Sequence, residues 1–424
     1  MTKIAPFKAV VFNPQKVKDL AQVVCPPYDV ISPARQDYFH GLNPHNFIHI
    51  LLGKDIPGED KYHRAAVLFR EWQKEEVLAQ DKQPAVYFYQ QQYTIKGEKR
   101  SRLGFIALLR LEEKNSRVFG HEHTRTEPKE DRAKLIRQVK ANLSPIFAIF
   151  ADKKRLIRSV YQQYIERCEP FVDIVDQDNV RHRLWRIDSP EILGKIEEKM
   201  SDENIFIADG HHRYEVACGY RDEMKKKNAN FTGEESFNYI LTYFTNPHTP
   251  DLTIMPIHRL VNPLAGFYFE KFLASLSDYF DCEEVKDRVK FFFLLQKAGS
   301  TEHVIGMYRQ KKFWLLRLKN IKILDKIIID KQKEYRSLDV SIFNYLVLKK
   351  LMGMDIEDKQ NIVFNHDTEE VLEGADRSSS AIAFFLNPVK MEQIMSVALS
   401  GEKMPSKSTF FYPKVLSGLV IHKF

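Results

Sequence analysis

Residues 204–220, NIFIADGHHRYEVACGY, put an acid, a glycine, two histidines and an arginine in a row where an apolar run gives way to a helix-like pattern. A helix N-terminus leaves amide groups unpaired and carries partial positive charge, so an anion placed there is stabilised. Gly210 lets the chain turn sharply and lets a ligand approach the backbone. His211, His212 and Arg213 add donors, and the Arg213 fork can hold a phosphate through two parallel N–H bonds. Asp209 alone would repel that phosphate. A Mg²⁺ ion between carboxylate and phosphate reconciles the two, an arrangement this hard cation favours. The plainer reading is a helix start capped by Asp209, with histidines in packing or surface roles.

Three further stretches offer chemistry. FGHEHTRTEPKEDRAKLIRQVKANLSPIF (119–147) gathers His121, Glu122, His123 and Thr124 in one loop, followed by Arg132, Asn142 and Ser144. The i, i+2 spacing of His121 and His123 suits a strand or loop, not the helical HExxH site of zinc proteases. Glu122 can serve as general base toward a hydroxyl substrate, against the alternative of an exposed charged loop. GEKMPSKSTFFYPK (401–414) offers Lys407 beside Ser408 and Thr409, a phosphate cradle without the G-x-x-x-x-G-K of a P-loop. VVCPPYDVIS (23–32) stiffens a turn with Pro26 and Pro27 and displays Tyr28 and Asp29, and MPIHRLV sets His258 and Arg259 on a strand.

Mixed elements must position these residues. AVYFYQQQYTI (85–95) and RLGFIALLRLEE (102–113) read as strands paired around KGEK, and residues 130–143 carry apolar positions at helical spacing. SPIFAIFAD returns as a strand, and the strand before Gly210 leads into a helix from about His212 to Lys227. Beyond Pro263 the texture changes to a helix, a strand pair at 303–318, an amphipathic helix at 339–354 and a strand–helix unit. The expectation is an α+β (mixed α/β) fold with a boundary near 265: residues 1–265 as catalytic core, and 266–424 as a C-terminal α/β portion contributing a phosphate-binding loop.

Composition bounds the partners. The net charge of +7 is spread along 424 residues, which argues against nucleic acid. Cys25, Cys168, Cys218 and Cys282 form no C-x-x-C pair, so neither a zinc ribbon nor a disulfide framework is expected. No signal-like or membrane-spanning apolar run is present, and a cytoplasmic protein is expected.

Taken in order, PPYDVI, the HEHT loop with its PKEDR and NLSPIF continuation, ADGHHRYE, PIHRLV and MPSKSTFFYPK resemble the bacterial and archaeal domain-of-unknown-function family numbered 1015. The DGHHR segment further resembles that of the free serine kinases of the ParB/sulfiredoxin-like superfamily. The resemblance implies a ParB/sulfiredoxin-like core with a mixed sheet. It also implies phosphorylation of free L-serine to O-phospho-L-serine with Mg²⁺ and pyrophosphate, ADP or ATP as donor, within serine and cysteine metabolism. Asp209 then corresponds to the kinases' Mg²⁺-binding or catalytic aspartate, and Gly210–Arg213 to their phosphate contacts. The chain is much longer than those compact kinases, and its HEHT and KST motifs have no obvious counterpart in them.

On this reading Asp209 binds Mg²⁺, and Asp209, Glu122 and His211 are catalytic. Gly210, His212, Arg213, Lys407, Ser408, Thr409 and Arg132 bind phosphate, while His121, Asn142, Ser144 and Tyr28 bind substrate. The partners are L-serine and a phosphoryl donor, without a membrane. Lack of a glycine-rich nucleotide loop favours pyrophosphate. The competing readings are a ParB-like CTP-binding switch and a metal-dependent phosphohydrolase. Asp209→Asn is expected to abolish turnover while leaving the fold intact.

Overall fold

In the computed structural model, which describes residues 1–112, 117–124, 126–247, 251–358 and 360–424, the first expected hairpin forms. Strands Val86–Ile95 and Glu98–Arg110 run antiparallel, with Ile95 opposite Glu98. Lys96 and Gly97 between them both take positive φ, 50° and 78°. That two-residue turn matches the twist of the flanking strands.

The described residues divide into two units: 1–120 with 124–253 and 413–424, and 121–123 with 254–412. In the first, nine strands form one mixed sheet. Across it lie Val118–Gly120, Ile205–Asp209, Ile146–Ile149, Tyr239–Thr245, Glu98–Arg110, Val86–Ile95, Arg181–Ile187 and Val172–Val175, with Ile4–Ala5 added to Glu98–Arg110. Ile205–Asp209 is parallel to Val118–Gly120, and Tyr239–Thr245 is parallel to Ile146–Ile149. The other neighbours are antiparallel. Phe88, Phe105, Phe150 and Phe244 pack with Ile146, Ile205 and Ile207 as its core. Each such side chain, fully buried, contributes about 2 kcal/mol.

The second unit holds a six-stranded antiparallel sheet in the order Phe280–Val285, Lys312–Leu318, Val304–Arg309, Ile382–Phe385, His258–Val261, Ile362–Asn365. Phe291, Phe313, Phe385 and Val371 centre its core. The expected helix at 339–354 starts as α-helix over Asp339–Ile342 and continues as π-helix over Phe343–Leu351.

The two units divide after Thr253. His258–Val261 is an interior strand of the second sheet, so its backbone pairing is satisfied there. Residues 413–424 return to the first unit, where His422–Lys423 pairs with Ala141–Asn142. Among the described residues no helix is long and apolar enough to cross a membrane.

Candidate functional site

Ile205–Ala208 is buried throughout, as an interior strand covered on both faces requires. The register slips between Ile207 and Asp209 against Ile146–Ile149, a bulge that re-aims the last side chain of the strand. Gly210 follows with φ +90° and opens the helix His211–Lys227. A Cβ there would stand 3.0 Å from the Arg213 guanidinium and from Ile146 Cγ2, so both backbone conformation and space call for glycine.

Asp209 does not cap this helix, which has no side-chain cap. Its carboxylate meets two cations instead: Oδ1 accepts from Lys414 Nζ at 2.6 Å, and Oδ2 from Arg213 NH2 at 2.7 Å. All three side chains are largely buried, at 16%, 12% and 10% exposure for Asp209, Lys414 and Arg213. Burial opposes ionisation of Asp209, but Lys414 and Arg213 outweigh it and hold the carboxyl well below the usual carboxylate range. His211 is buried beside the same carboxylate and acts on it in the same direction.

In the Arg213 fork NH2 donates to Asp209, NH1 donates to Pro145 O, and the buried Nε is left without a partner. Both carboxylate oxygens of Asp209 thus carry cations. Among the described residues no group of three or more His, Cys, Asp or Glu side chains could hold a metal. In this corner one carboxylate faces two cations.

Beside it lies a cavity of about 60 Å³ lined by Tyr28, Arg132, Asn142, Ser144 and Arg213 among apolar walls that include Leu51 and Val216. Four positions expected for substrate or phosphate thus meet Arg213 in one place. The Arg132 guanidinium sits 4.2 Å over the Tyr28 ring and donates to Leu51 O at 2.7 Å. Asp131 neutralises it, with Nε to Oδ2 at 2.7 Å, so Arg132 builds the wall and is not an uncommitted phosphate ligand. Burial first, and Asp29 second, push the Tyr28 phenol up to about 12, which keeps it a neutral donor. Asn142 Oδ1 accepts from Leu241 N at 3.0 Å, and the Ser144 and Ser417 hydroxyls lie 2.6 Å apart.

The HEHT and KST motifs meet each other in the second unit. His121 Nε2 is 3.3 Å from Thr409 Oγ1, Met404 N donates to His121 O at 2.6 Å, and Glu122 bridges to Met404. Lys407 is exposed with φ +57°, and its carbonyl accepts from the buried Arg259 at 3.0 Å. Ser408 is buried and donates to Pro405 O. His212 is half-buried on the first helical turn of the first unit.

Sequence reasoning missed Lys414, seven residues beyond the lysine it chose. It also missed Gln91 and Arg102, which donate to the carbonyls of Lys414 and Pro413 respectively. No local pattern marks them, since it is sheet register that places them.

No curated protein matches the sequence. Among solved structures, the chain is similar to a free serine kinase in complex with AMP, at 12% identity and TM-score 0.33, covering 70% of this chain and 83% of that one. It is similar to SbnI with C-terminal truncation from Staphylococcus aureus, at 11% identity and TM-score 0.37, covering 74% and 86%. A conserved hypothetical protein from Pyrococcus furiosus gives 10% identity and TM-score 0.33 over 70% and 89%. The family model described as Protein of unknown function (DUF1015) matches residues 4–341, and the chain belongs to that family.

Proposed function

We propose that this family member is a small-molecule kinase that phosphorylates the hydroxyl of free L-serine, with pyrophosphate, ADP or ATP as donor. The observation that carries the reading is the convergence of Lys414 and Arg213 on the single carboxylate of Asp209 at the start of a 17-residue helix. Phosphoryl transfer asks a protein mainly for positioning and for neutralisation of oxyanion charge. Lys414 and the amides of the first helical turn supply that neutralisation, and Asp209 holds the two cations in place. Magnesium belongs to the donor, arriving on its phosphates as part of the substrate.

The neighbouring cavity suits a compact acceptor, with Tyr28, Asn142 and Ser144 as its polar groups. The serine Oγ–P bond forms as the donor's bridging P–O bond breaks, and the hydroxyl proton leaves to a base. Asp209 is a poor base, since its cations stabilise the ionised form. The resemblance of DGHHR to the free serine kinases supports the kinase reading.

The test is ³¹P NMR of purified protein with L-serine, Mg²⁺ and each donor in turn. O-phospho-L-serine is expected with at least one donor. Free phosphate without phosphoserine would favour a phosphohydrolase, and no turnover with any donor would sink the kinase.

A further inference from the structure

Lys414 reaches Asp209 from a segment that the sheet grips by its backbone. Arg102 donates through NH2 both to Pro413 O and to Gln91 Oε1. Gln91 then donates through Nε2 to Lys414 O at 2.9 Å. Arg102 and Gln91 face each other across the hairpin, and both are fully buried. The guanidinium lies 4.7 Å from the Phe147 ring and 5.6 Å from the Tyr243 ring, which fix its plane. Three residues on, Ser417 N donates to Cys25 O at 2.8 Å.

A buried arginine and glutamine are a costly way to fill a core, since apolar residues of similar volume often pack as well or better. Here their polar atoms go to two consecutive carbonyls, those of Pro413 and of the lysine that carries the ammonium. Holding both fixes the direction in which the Lys414 side chain departs.

We propose that Arg102 and Gln91 are positioning residues for Lys414, a buried clamp that sets where its ammonium stands against Asp209. The role of that ammonium in binding phosphate rests on the kinase reading; the clamp itself does not.

The experiment pairs two readouts on the full chain. The first is the acylation rate of individual lysines by an amine-reactive reagent, followed by mass spectrometry, with exposed Lys286 and Lys290 as internal references. Gln91→Glu keeps the acceptor for Arg102 and removes the donor to Lys414 O. Its Lys414 should acylate about fivefold faster than in the wild type, the loss of one hydrogen bond's worth of restraint, with both references unchanged. Gln91→Leu is the uncharged second variant should the glutamate disturb folding. The second readout is calorimetric titration with Mg²⁺–pyrophosphate, which should weaken by a similar factor in the same variants. An unchanged Lys414 rate in folded Gln91→Glu or Gln91→Leu overturns the clamp. A changed Lys414 rate in the variants, beside a wild type that binds no pyrophosphate, ADP or ATP, keeps the clamp and removes the kinase reading.

Discussion

Lys414 Nζ stands 2.6 Å from Asp209 Oδ1, although 205 positions separate the two residues. The pair joins the strand–helix junction to the returning segment 413–424, so the site exists only once both are folded together. Lys414→Met keeps most of the side-chain volume and removes the charge. Asp209 then has Arg213 alone, and kcat/KM for the donor should fall roughly 10²–10³-fold, as when one preorganised oxyanion donor is lost. Steady-state kinetics with the active donor checks this.

Asp209→Asn should cost stability as well as turnover. The sequence suggested that the variant would leave the fold intact, whereas the side chain is buried between two cations. Removing it strands both charges, at about 3 kcal/mol. Chemical denaturation should show a lower midpoint with an unchanged slope.

Gly210→Ala tests the turn. Its φ of +90° penalises any side chain, and the Cβ would press on Arg213 and Ile146 at 3.0 Å. A loss of about 1–2 kcal/mol is expected, again read from the denaturation midpoint.

Acid should weaken the first unit through His422. Its ring is buried and lies 3.0 Å from Ser236 O through Nε2, and burial lowers its pKa from 6.5 to about 4. As pH falls, the unfolded chain takes up this proton first. The contribution is therefore complete above 6.5 and lost progressively toward 4, by about 3 kcal/mol at most. Denaturation midpoints between pH 7 and 4 should fall in the wild type and fall less in His422→Gln.

What the sequence disclosed was local. The apolar run 205–208, the acid and the glycine fixed the strand, the turn and the helix start, because each follows from neighbours in the chain. Tyr28, Arg132, Asn142 and Ser144 were also legible, from the proline-stiffened turn and the stretch that follows the HEHT loop, and they line one cavity. Their partners were not legible. That Arg132 spends its charge on Asp131, and Arg213 its fork on Asp209 and Pro145, depends on side-chain packing. Lys407 looked the better phosphate ligand because hydroxyls flank it. Lys414 becomes visible only when Gln91 and Arg102 set the path of its backbone, which is a matter of sheet register across more than 300 residues.

The most direct test is a crystal structure of the protein soaked in Mg²⁺–pyrophosphate. Phosphate oxygens should lie within hydrogen-bond reach of Lys414 Nζ at the start of the helix His211–Lys227. An anion seated elsewhere, with the Lys414–Asp209 pair undisturbed and only water at that helix start, would contradict the account.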